Sequence, residues 1–189
     1  PRKFFTKKIL PDLDNGRPND KAHTLLVVSK IREIIANSPE LKLDKAVLLI
    51  AAYAHDWGYT NLFDQNTVLK LEHVGAQKEA HMTIGSEKLK DLLNDPFFDF
   101  LNNNQKQRAV HLVSVHDKLD QLIDIDEIVL MEADSLGGMD PEIMGIFNDE
   151  ASEKRFLRKS RGLRFSKFIT NYSKKEFERL FQKRTNLKH

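Results

Sequence analysis

The sequence predicts an all-α fold. Apolar residues recur at helical spacing in several separate stretches, no stretch alternates convincingly with period two, and capping residues and breakers separate the stretches. At 189 residues the chain is long enough to bury its own core as one domain, with no internal repeat and no low-complexity linker.

Residues 1–18 contain three prolines and a glycine with little periodicity, so they predict an extended arm, docked through Phe4, Phe5 and Ile9. A helix follows from Asn19 or Asp20, either of which can cap it, to Ala36. Positions 23, 27, 31 and 34 share one stripe, which puts His23 in the first turn of a core-facing surface. The run Leu48-Leu49-Ile50-Ala51-Ala52-Tyr53-Ala54-His55-Asp56-Trp57-Gly58-Tyr59, opened by Asp44 and Lys45 and closed by Gly58, predicts a buried helix. A polar loop covers residues 60–67. The next helix is expected from Val74 to Asn94, with His81, Gly85, Leu89 and Leu92 on one face. Gly85, one turn past His81, leaves room for a backbone or a ligand to approach. Asp95-Pro96 ends that helix, and Phe97, Phe98 and Phe100 form an apolar plug. Helices over 104–118 and 124–136 follow, the second stopped by Gly137-Gly138. The tail holds two amphipathic stretches, 153–170 and 173–183, whose aromatic residues predict a layer packed on the body. The expected organisation is an arm (1–18), a core (19–150) and a helical extension (151–189).

Charge is distributed unevenly. The net charge is +2, but residues 151–189 carry 13 Lys and Arg against 3 Asp and Glu, leaving 17 basic and 25 acidic residues before them. A basic segment on an acidic body admits nucleic acid or another acidic partner, although the clustered aromatics favour packing. No run approaches the roughly 18 apolar residues of a membrane span. The first ten residues lack the apolar core and cleavage site of a signal peptide. These features and the absence of cysteine fit a cytoplasmic protein, and any metal must be held by nitrogen and oxygen.

Two readings attach to His55-Asp56. Exposed at a frayed helix end, the pair needs nothing; buried, it must find partners, and a divalent cation accepts both neutral imidazole and carboxylate. Other residues of matching character stand elsewhere. His111 and His116 are five positions apart, about 140° round a helix, so both cannot face one point. His116 shares its side with Leu112 and Val113 and points inward, as a ligand or a hydrogen-bonded core histidine; His111 follows Gln107 and Arg108 and points outward. His73 is a surface or supporting residue, and His189 carries no signal. Asp134 lies one turn beyond Leu130 and Met131, on the buried side of its helix. The candidate ligands are therefore His23, His55, Asp56, His81, His116 and Asp134, projecting inward from facing helices.

His23, then His55-Asp56, then Asp134 within Glu132-Ala133-Asp134-Ser135-Leu136-Gly137 resembles the ordered His…His-Asp…Asp signature of the HD superfamily of metal-dependent phosphohydrolases, over roughly 20–139. The resemblance implies a compact helical bundle with a metal at its centre, held by His23, His55, Asp56 and Asp134. His81 and His116 would bring a second metal or contact substrate phosphate. Trp57-Gly58-Tyr59 stands where alarmone hydrolases have Glu-Asp, and the Gly-Tyr-Pro signature of cyclic-dinucleotide phosphodiesterases is missing. The activity expected is hydrolysis of a phosphate ester, of a nucleotide or similar small phosphorylated metabolite, with Asp56 as the catalytic carboxylate able to bridge two ions. Iron, manganese, zinc, nickel, cobalt and magnesium all fit, as one ion or two. Lys118 and Arg161 are candidate phosphate-binding residues, and Arg158 and Arg164 could join Arg161 in clamping an anion; the alternative for all of them is a solvated charged surface. Two other functions use the same residues: a di-iron oxygenase of the same superfamily, and a non-catalytic metal-stabilised module that binds nucleic acid through 151–189.

Overall fold

A computed structural model describes residues 2–63, 70–143 and 150–186. Part of the expected 60–67 loop, residues next to the expected boundary at 150, and His189 lie outside the described residues. Every regular element described is helical: α1 (Arg2–Lys8), α2 (Leu10–Leu13), α3 (Asp20–Asn37), α4 (Lys45–Ala54), α5 (Leu71–Ala76), α6 (Lys78–Leu92), α7 (Asn103–Val115), α8 (Ile125–Met139), α9 (Glu150–Lys159) and α10 (Asn171–Asn186). Among the described residues no helix is long and apolar enough to cross a membrane.

The predicted apolar run becomes the central helix. Asp44 caps α4 by accepting from the backbone N–H groups of Ala46 (3.0 Å) and Val47 (3.1 Å). Val47, Leu48 and Ile50 to Ala54 are all buried, because α3, α7 and α8 surround α4. The His23 stripe is likewise inside, with Val27, Ile31 and Ile34 fully buried. Asn102 and Gln105 cap α7 reciprocally, at 2.9 and 3.1 Å, which holds the start of that helix to one register.

The limits of several expected elements are corrected. The arm is helical, not extended: Phe5, Ile9, Leu10 and Leu13 are buried and Phe4 stacks on Phe97 (4.2 Å between centroids), so docking stabilises helices too short to form alone. The expected 74–94 helix is two, α5 and α6, with a break at Gln77. Helix α8 runs through Gly137-Gly138 to Met139. These glycines serve packing, since a Cβ on Gly137 would sit 2.7 Å from Val27 Cγ2 and 3.3 Å from His23 Nδ1. The first tail stretch is not one helix, because α9 passes into a π-helical turn (Ser160–Arg164) and a 3₁₀ turn (Phe165–Lys167). In the aromatic plug, Phe98 is buried while Phe97 and Phe100 remain exposed.

The tail packs on the core through buried polar groups. Glu132 of α8 accepts from Thr170 N–H (2.9 Å) and the Thr170 hydroxyl (2.6 Å). Arg184 of α10 pairs with Glu153 of α9 (2.7 and 3.0 Å), both buried. Lys30 of α3 pairs with Glu176 of α10 (2.8 Å).

The Trp57–Tyr59 turn packs tightly against α6. A Cβ on Gly58 would lie 1.8 Å from the His81 carbonyl oxygen and 2.7 Å from Gly85 N, whereas one on Gly75 meets nothing within 4 Å. Gly58→Ala is therefore expected to destabilise the protein by about 3 kcal/mol or more, and Gly75→Ala to stay within about 1 kcal/mol of the parent, in urea unfolding. The hydrogen bonds from Arg179, and less strongly from Lys30, overcome burial and lower Glu176 from 4.5 to about 2. A depressed carboxyl stabilises the fold above its unfolded pKa and loses that contribution as pH falls through the folded one. The deficit of Glu176→Gln against the parent should thus be full at pH 7 and shrink as pH falls from 4.5 toward 2, read by denaturant titration at each pH.

Candidate metal centre

Helix ends bring the ionisable groups together. Helix α3 supplies His23 from its first turn, and α4 stops at Ala54, so His55 is its C-cap and Asp56 the next residue. Helix α6 presents His81 and α8 presents Asp134. Helix α7 ends at Val115, short of the expected 118, leaving the buried His116 at its C-cap. His23, His55, Asp56, His81 and His116 are each at most 4% exposed.

Two overlapping ligand sets result: His23, His55, Asp56 and Asp134, and Asp56, His81 and His116, with the donor atoms of each set within 4.8 Å of one another. Asp56 belongs to both. Its Oδ2 lies 3.1 Å from His55 Nε2 and 3.3 Å from His23 Nε2, and its Oδ1 lies 3.8 Å from Nε2 of both His81 and His116. Asp134 Oδ1 lies 3.0 Å from His23 Nε2.

The ring hydrogen bonds decide which nitrogens face inward. His55 Nδ1 donates to Ala52 O (2.9 Å), His116 Nδ1 to Val113 O (2.8 Å) and His81 Nδ1 to Gln77 O (3.3 Å). A carbonyl only accepts, so each Nδ1 carries the hydrogen and, in the neutral ring, Nε2 carries a lone pair. Yet Nε2 atoms meet at 3.2 Å (His55 and His23) and 3.3 Å (His81 and His116). Lone pairs at that distance, beside carboxylate oxygens, repel unless a proton or a metal cation stands between them. The residues fit a divalent ion in donor type and convergence, and the ring bonds of His55, His81 and His116 set the matching tautomer; His23 Nδ1 has no hydrogen-bond partner among the described residues.

Partly buried cations balance the carboxylates. Arg17 bonds Asp56 directly and Asp20 through Nε (2.8 Å), and its guanidinium lies 3.9 Å from the centre of the Tyr59 ring. Burial alone would raise Asp56, but Arg17, His55 and hydrogen bonds from His116 and His23 hold it well below the usual carboxylate range. Burial opposes charge on His23 too, and its hydrogen bonds to Asp134 and Asp56 overcome this, raising it to about 9. His81 is pushed down to about 3 by burial and then by its neighbour His116, so it stays neutral and able to ligate. Tyr59 stacks on His81 at 3.9 Å between centroids, fixing the plane of that ring.

The structure does not bring every expected residue to the cluster. Lys118 pairs with Glu79 (3.4 Å) and does not line the cavity at the cluster. Arg161 is an exposed partner of Glu178 (2.7 Å) and also lies outside it. Two tail arginines line the cavity: Arg184, which is paired with Glu153, and Arg164, which reaches the cluster itself and is bonded to Asp134, to Asp117 (2.6 Å) and to Ser135 (2.7 Å). His111 points outward to Glu127 (2.7 Å), and His73 takes part in the cap of α5. Arg17, Asp20 and Asp117 escaped the sequence reading. Arg17 stands between Gly16 and Pro18 in an aperiodic stretch, and its only sequence signal is its position six residues before His23.

A family model described as HD domain matches residues 21–139, more than half of the chain and the whole span from His23 to Asp134. The chain belongs to the HD family, and its helical fold and His/Asp cluster are those of a metal-dependent enzyme of that family. No curated protein and no solved structure matched.

Because Asp56 is common to both sets, Asp56→Ala should reduce bound metal at least tenfold, measured by elemental analysis of the purified protein. His81→Ala should leave the four-residue set loaded, and His111→Ala should bind as the parent does.

Proposed function

We propose that the protein hydrolyses the phosphate ester of a nucleotide or a similar small phosphorylated metabolite, using one or two divalent ions held by His23, His55, Asp56, Asp134, His81 and His116. The observation that carries this reading is the pairing of each ligand carboxylate with a partly buried arginine that also lines the cavity: Asp56 with Arg17, and Asp134 with Arg164. A divalent ion supplies Lewis acidity toward a phosphoryl oxygen and lowers the pKa of water. Arg17 and Arg164 line the same cavity; their charge is matched by Asp20, Asp56, Asp117 and Asp134, so what they offer a phosphate is their remaining N–H donors, and the net positive charge its transition state needs would come from the bound ions. Asp56 stays ionised across the working pH range, so it acts as an anchor and an orienting acceptor rather than a strong base. Lys78, paired with Asp117 (3.4 Å) and partly exposed, adds a cation at the same cavity. The cavity at the cluster is about 240 Å³, small for a ligand site, so only part of a nucleotide-sized molecule would sit within it.

The nucleic-acid reading is weakened by where the tail's residues go. Phe168, Phe177 and Leu180 are buried and Arg184 is spent on Glu153, as packed residues and not as a free basic arm. The test is release of inorganic phosphate from nucleotides and sugar phosphates by the full chain, with manganese, magnesium, zinc, cobalt, nickel and ferrous ion in turn. Turnover should vanish with a chelator and fall about 100-fold or more in Asp56→Ala. Oxygen consumption without phosphate release would move the assignment to a di-iron oxygenase, and salt-sensitive binding of RNA or DNA without turnover would move it to a binding module.

A further inference from the structure

The cavity over the cluster has two unlike sides. Arg17, His23, Asp56, His81, His116 and Asp134 form a charged floor. Leu71 and Val74 of α5, Leu119, and Phe156 and Leu163 from the tail supply the apolar part of the lining, a wall built where α5 packs on α9 and interrupted by Lys78, Lys159 and Arg184. Phe156, Leu163 and Arg164 lie beyond residue 139, where the family match ends. The segment from α9 to Arg164 is thus an addition to the family core that contributes both to the wall and to the floor's edge.

Two features of that segment point to a ligand. Arg164 has five N–H donors and spends three, on Ser135, Asp117 and Asp134, which leaves one on each terminal nitrogen. Leu163 lines the cavity but is 55% exposed, a large apolar side chain at the rim only partly covered by the protein. The π-helical turn Ser160–Arg164 presents the two side by side. A sugar phosphate or pyrophosphate would match the floor and leave the wall facing polar groups. A phosphate ester carrying a flat apolar group matches both.

We propose that the α9–Arg164 segment selects the substrate: Arg164 binds the phosphate, and Phe156 and Leu163, with Leu71 and Val74, bind an aromatic group on the ester, a nucleobase being the natural example. This rests on the phosphohydrolase reading for the role of Arg164, whereas the apolar wall can be tested without turnover.

Ligand-detected saturation-transfer NMR on the full chain compares adenosine with ribose. Adenosine should receive saturation and ribose should not, and the adenosine signal should fall several-fold in Leu163→Ser and Phe156→Ala. Leu163 is half exposed, so Leu163→Ser is expected to keep the parental circular dichroism melt and serves as the decisive variant should Phe156→Ala fail to fold. In turnover with manganese, kcat/KM for adenosine 5′-monophosphate should exceed that for ribose 5-phosphate, and Leu163→Ser should shrink the ratio about tenfold. Measured at saturating manganese, because Arg164 also bonds the ligand Asp134, Arg164→Gln should raise KM about tenfold for both substrates and leave their ratio unchanged, with Arg164→Lys recovering part and Arg161→Gln behaving as the parent. Equal saturation of adenosine and ribose, or a Leu163→Ser variant indistinguishable from the parent, overturns the wall, even if phosphate esters are hydrolysed. An Arg164→Gln variant whose KM is unchanged at saturating manganese overturns the phosphate role. Absence of any phosphate release would bring down the hydrolase reading and Arg164's role with it, while the NMR result still decides the wall.

Discussion

Four imidazoles and two carboxylates from five helices share one buried volume, and the repulsion within that set governs much of the architecture around it. Isolated buried charges of this kind cost many kcal/mol, so they persist only when paired. Backbone carbonyls of α4, of Gln77 just before α6, and of α7 take the outer ring nitrogen of three histidines and turn the inner one toward the centre. Arg17 and Arg164 approach from opposite ends of the chain and hold the outward sides of Asp56 and Asp134. What is left unbalanced lies between the Nε2 atoms, where a cation is the natural complement.

That demand explains features that packing alone does not. The helices carrying the ligands must converge at their ends, and glycines permit it: Gly58 and Gly85 let the turn after Asp56 touch α6, and Gly137 lets α8 close on His23. The arm and the tail, both outside the matched family segment, are the elements that bring the two arginines. Each is secured by its own buried contacts, Phe5 and Ile9 for the arm, and Glu132 with Thr170 and Arg184 with Glu153 for the tail. Cation placement therefore depends on docking of these peripheral pieces as much as on the central bundle. The same docking gives the cavity its apolar side, so the segment that balances Asp134 also shapes what can enter.

The sequence by itself determined the helical class, the central helix ending in His55-Asp56 and the inward faces of His23, His81, His116 and Asp134, because these depend on local period and on apolar neighbours one turn away. His111 was separable from His116 for the same reason, since 140° of rotation sends one ring to Glu127 and the other to Asp56. Only the tertiary structure decided which cations meet the cluster. Arg17 lies in an aperiodic Gly-Arg-Pro stretch, and Arg164 differs from Arg161 only by its position in a π-helical turn, a distinction no hydrophobic pattern encodes. It also turned the expected extended arm into helices and carried α8 through Gly137-Gly138, because burial against a partner outweighs proline and glycine propensity. Local chemistry chooses the faces of helices, and long-range packing chooses which side chains from distant segments meet there.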